Sequence, residues 1–147
     1  MLKIALATAV FLAHTVVLAQ ATPAGLWKTI DDETKKEKSL IRVTESAGVF
    51  TGKLEKFLDP ATKPDTTCEK CTDERKDKPV LGMTLMRNVK KNADEAAQWD
   101  GGDILDPNNG KVYKVRLKPI DSGKSLEVRG YIGTPILGRT QTWIRVE

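Results

Sequence analysis

Short stretches in which apolar and polar residues alternate constrain the fold of this chain more than any other feature. Residues 112–118 show the pattern best, because Tyr113, Val115 and Leu117 fall on one face of an extended backbone and basic residues fall on the other. A period of two is typical of a strand that is buried on one side. Little of the chain beyond residue 21 has the period of 3.6 that indicates a helix. The sequence therefore predicts an all-β protein.

The alternation predicts about eight strands separated by turns. Besides residues 112–118, the predicted strands are residues 26–30, 40–44, 49–58, 80–86, 99–105, 126–132 and 139–146. Segments such as Ser46-Ala47-Gly48 and Asp121-Ser122-Gly123 have the chemistry of turns. An up-and-down antiparallel barrel is the favoured architecture, because closure leaves no strand edge exposed, and a β-sandwich is the second choice.

The first 21 residues have the layout of a secretory signal peptide. Lys3 gives a basic start, residues 4–18 are mostly apolar, and Ala19-Gln20-Ala21 is a small-x-small cleavage pattern. The apolar run is shorter than the roughly 20 residues that cross a bilayer, so no membrane span is predicted. We expect a cleaved signal at residues 1–21 and a single domain at residues 22–147, located in the periplasm or secreted.

Composition narrows the functional classes. Cleavage removes His14, the only histidine, so the exported domain has no imidazole for catalysis or metal binding. The chain lacks the G-x-S-x-G, phosphate-loop and dinucleotide-binding motifs, so an enzyme is not favoured. The formal net charge is +4 with both signs interspersed, which does not indicate a nucleic-acid partner. Lys114, Arg116 and Lys118 form a basic stripe, which is interpreted as a solvated face rather than a site that attracts anionic lipid or polysaccharide.

The two cysteines, Cys68 and Cys71, lie in a charged, proline-containing segment at residues 59–79. In an oxidising compartment a pair this close is expected to form a disulfide. Pairs that exchange disulfides usually begin a helix, and no helical pattern follows this one. We therefore interpret the pair as a clip on a long loop.

Neither zinc nor calcium binding is predicted. A structural zinc site needs four ligands, and the exported domain offers two cysteines and no histidine. A calcium loop starting at Asp106 would place Leu117 where the bidentate glutamate belongs. Residues 106–110, Asp-Pro-Asn-Asn-Gly, instead have the chemistry of a hairpin turn. No cofactor is predicted.

The tryptophans and the last predicted strand supply the candidate ligand-binding or barrel-closing residues. Arg139, Gln141 and Trp143 share one face of that strand. A buried arginine or glutamine needs a partner, which is either a structural group or a ligand at the polar end of a cavity. Large aromatic side chains more often fill a core than line a site, and Trp99, which is close to two glycines, is the tryptophan for which partial exposure is most expected. The candidate set is Trp27, Trp99, Tyr113, Arg139, Gln141 and Trp143.

Several ordered motifs point to a family. They are Gly25-Leu26-Trp27, the C-E-K-C of residues 68–71, the run G-D-I-L-D-P at residues 102–107, and G-R-T-Q-T-W at residues 138–143. Together they resemble the exported bacterial proteins grouped as domain-of-unknown-function family 2147. This resemblance implies a small exported β-domain and brings no catalytic residues with it.

The opening Gly25-x-Trp27 is also similar to that of lipocalins, in which an arginine stacks on the tryptophan and closes the barrel. This likeness implies a lipocalin-like barrel, with Arg139 or Arg145 as the stacking cation. It concerns architecture, because a fold does not by itself specify a function.

These observations favour an exported, non-enzymatic binding protein whose barrel holds a small, partly apolar or amphipathic ligand. Two alternatives remain open. The segment at residues 59–79 could dock an envelope protein, making this a structural or interaction module. Less favoured is a thiol–disulfide redox module that uses Cys68 and Cys71.

Overall fold

A computed structural model describes residues 21–147, and the predicted signal peptide lies outside them, apart from Ala21. These residues form one closed antiparallel barrel of eight strands. The strands are β1 (Gly25–Ile30), β2 (Glu37–Ser46), β3 (Val49–Phe57), β4 (Thr84–Lys91), β5 (Trp99–Asp106), β6 (Lys111–Ile120), β7 (Ser125–Tyr131) and β8 (Arg139–Arg145). Short 3-10 turns lie at Asp121–Gly123 and Pro135–Leu137.

Each strand pairs with its neighbour in the chain, and β1 closes the barrel by pairing with β8. The predicted barrel is thus confirmed, and the alternative sandwich is excluded. The up-and-down order places loops 31–36, 58–83, 107–110 and 132–138 at one end, which we call the open end. Connections 47–48, 92–98 and 121–124 and both termini of the described chain lie at the opposite, closed end.

The closed half of the barrel is packed solid. Among its fully buried side chains are Trp27, Val43, Met86, Val89, Val115, Leu117 and Leu126. Gly52 makes this packing possible, because a Cβ there would lie only 3.2 Å from two carbon atoms of Met86. Burial of these apolar side chains supplies most of the driving force for folding.

Trp27 and Arg145 seal the closed end. The Arg145 guanidinium lies over the Trp27 ring, 4.2 Å from its centroid, and donates hydrogen bonds to the carbonyls of Thr22, Ala24 and Gly123. The Trp27 indole N–H donates to the Pro23 carbonyl at 2.8 Å. Of the two arginines considered from the sequence, Arg145 therefore lies on this ring.

The long connection between β3 and β4 covers part of the open end. Cys68 and Cys71 are joined by a disulfide, and their side chains belong to the buried core. The β5–β6 turn packs directly against this disulfide loop, because a Cβ on Gly110 would lie 1.9 Å from the Lys70 carbonyl oxygen. The loop is therefore packed as a fixed part of the open end of the barrel.

Charged residues tie the same loop to the outside of β4 and β5. Arg75, which is 6% exposed, pairs with Asp73 at 2.6 Å and donates to the Thr84 carbonyl at 2.9 Å. Arg87 on β4 reaches Glu74 at 2.6 Å and Asp103 on β5 at 3.2 Å. Each partner thus offsets part of the cost of removing the other from water.

This network predicts an acid-sensitive loop. Hydrogen bonds from Arg75 lower the pKa of Asp73 from its ordinary 3.8 to about 2. A depressed pKa stabilises the folded state above the unfolded-state value, and that contribution is lost as the pH falls from about 4 to about 2. In urea titrations, Asp73→Asn should therefore be less stable than wild type at pH values above the ordinary pKa, and the gap should shrink below it. Asp65→Asn, an exposed change in the same loop, is the control; a gap for Asp73→Asn that is constant with pH would contradict this explanation.

One predicted strand begins too early. The alternation predicts a strand at residues 80–86, whereas β4 starts at Thr84. Gly82 has a φ of +81°, and its N–H donates to the Leu54 carbonyl at 2.7 Å, so the chain still turns there. Val80 and Met83 are nevertheless buried, and this burial made the segment resemble a strand.

The predicted strand at residues 126–132 is too long by one residue. The strand β7 ends at Tyr131, and Ile132 is 60% exposed, whereas Val128 is buried. Gly133, with a φ of +80°, turns the chain immediately afterwards.

Candidate functional site

A cavity of about 640 Å³ lies in the open half of the barrel, above the solid core. This volume falls within the range of small-molecule pockets, roughly 300–1,000 Å³. Its walls come from the inward faces of several strands and from the open-end loops. The apolar part of the lining includes Ile41, Leu54, Phe57, Leu85, Ile104, Leu105, Val128 and Trp143.

A chain of polar groups lies along β8 at one side of this cavity. The Arg139 Nε donates to the Asp32 carboxylate at 2.6 Å, and the Gln141 amide donates to the same oxygen at 3.3 Å. The Trp143 indole N–H then reaches the Gln141 oxygen at 3.4 Å. Along β8 the lining of the cavity thus becomes more exposed, from the buried Trp143 ring to the exposed guanidinium of Arg139 at the mouth.

Other polar pairs complete the lining. The hydroxyls of Thr29 and Ser39 lie 2.7 Å apart, and both residues are buried. On the opposite wall, the Asn109 amide donates to the Tyr113 hydroxyl at 2.9 Å. A ligand that entered would therefore meet apolar surface with a few hydroxyl and amide groups among it, an arrangement typical of small-molecule sites.

The loop between β1 and β2 shapes the mouth. Backbone and hydroxyl donors of Thr34 hold the Asp31 carboxylate and lower its pKa from 3.8 to about 2. Lys38 lies 3.4 Å from the same carboxylate. These contacts order the short loop that places Asp32 opposite Arg139.

The structure brings together four of the six candidate residues predicted from the sequence. Tyr113, Arg139, Gln141 and Trp143 line the cavity. The alternation had placed the last three on one face, and that face points inward. Trp27 lies at the closed end beneath the packed core, where it closes the barrel.

Trp99 lies outside the lining, and it is buried rather than partly exposed. It is 3% exposed and packs edge-on against Phe50 with ring centroids 6.3 Å apart. The neighbouring glycines serve the backbone instead: Gly101 has a φ of +79°, and a Cβ on Gly102 would lie 2.2 Å from the Arg87 carbonyl oxygen. The glycines therefore allow β4 and β5 to approach closely and do not expose the ring.

Sequence reasoning missed Asp32, Thr29 and Ser39. Asp32 lies in a turn of mixed charge, where nothing distinguishes it from the adjacent carboxylates. Thr29 and Ser39 face inward on paired positions of β1 and β2. Their alternation with Trp27 and Ile41 was the available signal, because polar residues in register with a buried face indicate a polar spot in the interior.

The buried disulfide is poorly placed for redox exchange. Exchange requires a thiolate to reach one of the two sulfur atoms. Cys68 is 0% exposed and Cys71 is 2% exposed. Residues 72–79, which follow the pair, form turns rather than a helix.

Among residues 21–147, no group of three or more histidine, cysteine or acidic side chains is arranged to hold a metal ion. Within the same residues, no helix is long and apolar enough to cross a bilayer.

Comparison with known proteins agrees with the predicted family and fold. A family model described as "Uncharacterized protein conserved in bacteria (DUF2147)" matches residues 25–145. The solved structure of protein HP1028 from the human pathogen Helicobacter pylori, described as belonging to the lipocalin family, matches with a TM-score of 0.72 and 20% sequence identity. That match covers 86% of this chain and 84% of HP1028. No curated protein matches the sequence.

Proposed function

Because this chain belongs to the DUF2147 family of uncharacterised bacterial proteins and has a lipocalin-like barrel, we propose that it is an exported binding protein for a small, partly apolar molecule. The observation that carries the proposal is the cavity of about 640 Å³ in the open half of a barrel whose other half is solid. Small barrels can be filled entirely by side chains, so retained space needs an explanation.

The lining indicates how such a molecule would lie. The floor and lower walls are apolar, with Trp143 and Val128 buried there. The Asp32–Arg139 pair lies at the mouth, where both a donor and an acceptor are available. We therefore expect an apolar part to bind deep in the barrel and a polar part to bind near β8.

Export is the second element of the proposal. A disulfide in a small domain is typical of an oxidising compartment. The signal-like pattern of residues 1–21 supports the same compartment, with the periplasm as the expected location in a double-membrane bacterium.

The two alternatives receive less support. Docking of an envelope protein through the cysteine loop would use a segment whose Arg75, Cys68 and Cys71 side chains are buried in the barrel itself. Redox activity would require access to two buried sulfur atoms. Both features support a structural role for the loop.

Filling the cavity should abolish binding. A Cβ on Gly130 would make ordinary contacts of 3.5–4.0 Å with Tyr113 and Ile104, so a side chain fits there and extends into the cavity. With the fluorescent probe N-phenyl-1-naphthylamine, we expect saturable binding to wild type and an affinity at least about tenfold lower for Gly130→Phe, because the ring occupies the ligand's space.

Thr142→Phe is the matched control, because Thr142 is an exposed residue on β8, whose inward positions face the cavity. This variant should bind the probe like wild type. Wild type without saturable binding, or equal binding by Gly130→Phe, would refute the proposal. Native mass spectrometry of protein that was purified without a refolding step would identify any molecule that it carries.

A further inference from the structure

The loop between β7 and β8 carries three large apolar side chains into solvent. Ile132 is 60% exposed, Leu137 is 79% exposed and Ile136 is 86% exposed. Residues 132–138 contain no charged residue. Single exposed aliphatic side chains are common, but several in one short loop mark an interaction surface. We call this loop the apolar tip.

The apolar tip is held in its outward position. Arg129 on β7 donates from Nε to the Pro135 carbonyl at 2.6 Å and from Nη2 to the Ile136 carbonyl at 3.3 Å. Behind the loop, a Cβ on Gly138 would lie 2.7 Å from the Gly130 carbonyl oxygen, so the backbone packs closely there. These contacts thus hold the loop in a conformation that exposes its apolar side chains.

Positive charge surrounds the base of the tip. Lys114 on β6 pairs with Tyr131, the residue before the tip, and Arg116 pairs with Arg129. No ion pair described within residues 21–147 involves Lys114, Arg116 or Arg129. The Nε of Arg116 is buried, and in this same part of the chain it has no hydrogen-bond partner.

Carboxylates beside this group are fewer than its cations. Glu127 on β7 is the cross-strand neighbour of Lys118, and no ion pair described within residues 21–147 involves it. Asp103 on β5 is the cross-strand neighbour of Lys114, but its carboxylate accepts a hydrogen bond from Arg87 at 3.2 Å. The outer face of β6 and β7 therefore presents more cations than carboxylates immediately beside the apolar tip.

Charge patterning alone favours a solvated face for Lys114 and Arg116, but their position beside the apolar tip gives that face a second role. We propose that the open end docks on an anionic phospholipid surface through the apolar tip and the cations beside it. Aliphatic side chains at a loop tip enter the boundary between headgroups and acyl chains, and adjacent Lys and Arg side chains bind lipid phosphates. Ile132 and Leu137 also line the cavity, so docking places the cavity mouth against the lipid. This inference goes beyond the binding function and does not depend on it.

Co-sedimentation with lipid vesicles tests the docking. Two vesicle types are used, phosphatidylcholine alone and phosphatidylcholine mixed with an equal amount of phosphatidylglycerol. We expect wild type to bind the anionic vesicles at least about tenfold more tightly, because lipid phosphates attract the cations. The double variant Ile136→Thr/Leu137→Thr should lose at least about tenfold on the anionic vesicles.

The matched control is Ile144→Thr/Val146→Thr, which makes the same chemical change at exposed aliphatic residues near the closed end. It should bind like wild type. Lys114→Gln/Arg116→Gln, which leaves Arg129 in place to hold the loop, should remove most of the preference for anionic vesicles.

Three results would overturn the docking proposal: no binding by wild type, equal binding to both vesicle types, or equal losses in the two threonine variants. Each variant is also titrated with N-phenyl-1-naphthylamine in the absence of vesicles. Failure of docking and failure of cavity binding are then read separately.

Discussion

Replacing Trp27 with alanine is expected to lower the free energy of unfolding by about 4 kcal/mol, because it removes the largest fully buried side chain of the closed half. The loss also leaves the Arg145 guanidinium without the ring that covers it at 4.2 Å. For a small domain this is a large part of the total stability. Urea unfolding followed by far-ultraviolet circular dichroism measures the effect.

Trp143→Ala is the matched control for Trp27→Ala. Trp143 is 2% exposed, but one side of it borders the cavity, so fewer packing contacts are lost. We expect a smaller loss of stability, together with weaker binding of the fluorescent probe. Equal losses of stability in the two variants would show that the two halves of the barrel are packed alike, contrary to the structure.

Replacing Gly110 with alanine is expected to cost at least about 3 kcal/mol. The φ of Gly110 is +73°, and the added Cβ would lie 1.9 Å from the Lys70 carbonyl oxygen. The β5–β6 turn or the disulfide loop must move to relieve this overlap. Thermal unfolding and urea titration measure the change.

Gly48→Ala separates the cost of the left-handed backbone from the cost of the overlap with the Lys70 carbonyl oxygen. Gly48 has a φ of +79°, similar to that of Gly110, but a Cβ there would have no atom of residues 21–147 within 4 Å. It should cost only the roughly 1–2 kcal/mol of a left-handed backbone. The difference between the variants then measures how tightly the disulfide loop packs on the turn, and a Gly110→Ala cost no larger than that of Gly48→Ala would contradict this packing.

Alternation identified the strands but not every boundary. It located the inward faces of β6 and β8, where Val115 and Trp143 are buried. It failed at Val80 and Ile132, because both lie in loops and carry the same apolar side chains as strand residues. The chain turns at Gly82 before β4 begins and at Gly133 after β7 ends, and both glycines have a positive φ.

Part of the candidate site could be predicted from the sequence. Arg139, Gln141 and Trp143 fall on one face in any extended strand. Their partner Asp32 is 107 residues from Arg139 in the chain, so no local pattern joins the two. The pair exists because β1 and β8 close the barrel.

The role of the Gly25-x-Trp27 opening in closing the barrel base is implied by its likeness to lipocalins. Local patterning was enough to specify an all-β domain and its main turns. It also located the cysteine pair on a long loop, because short-range chemistry governs these features. How far each inward-facing residue lies from the open end of the barrel was decided only by the tertiary structure. Alternation assigns a face, whereas strand register and long-range packing make the closed half solid, leave about 640 Å³ open above it, and place Trp143 in the cavity and Trp99 in the core.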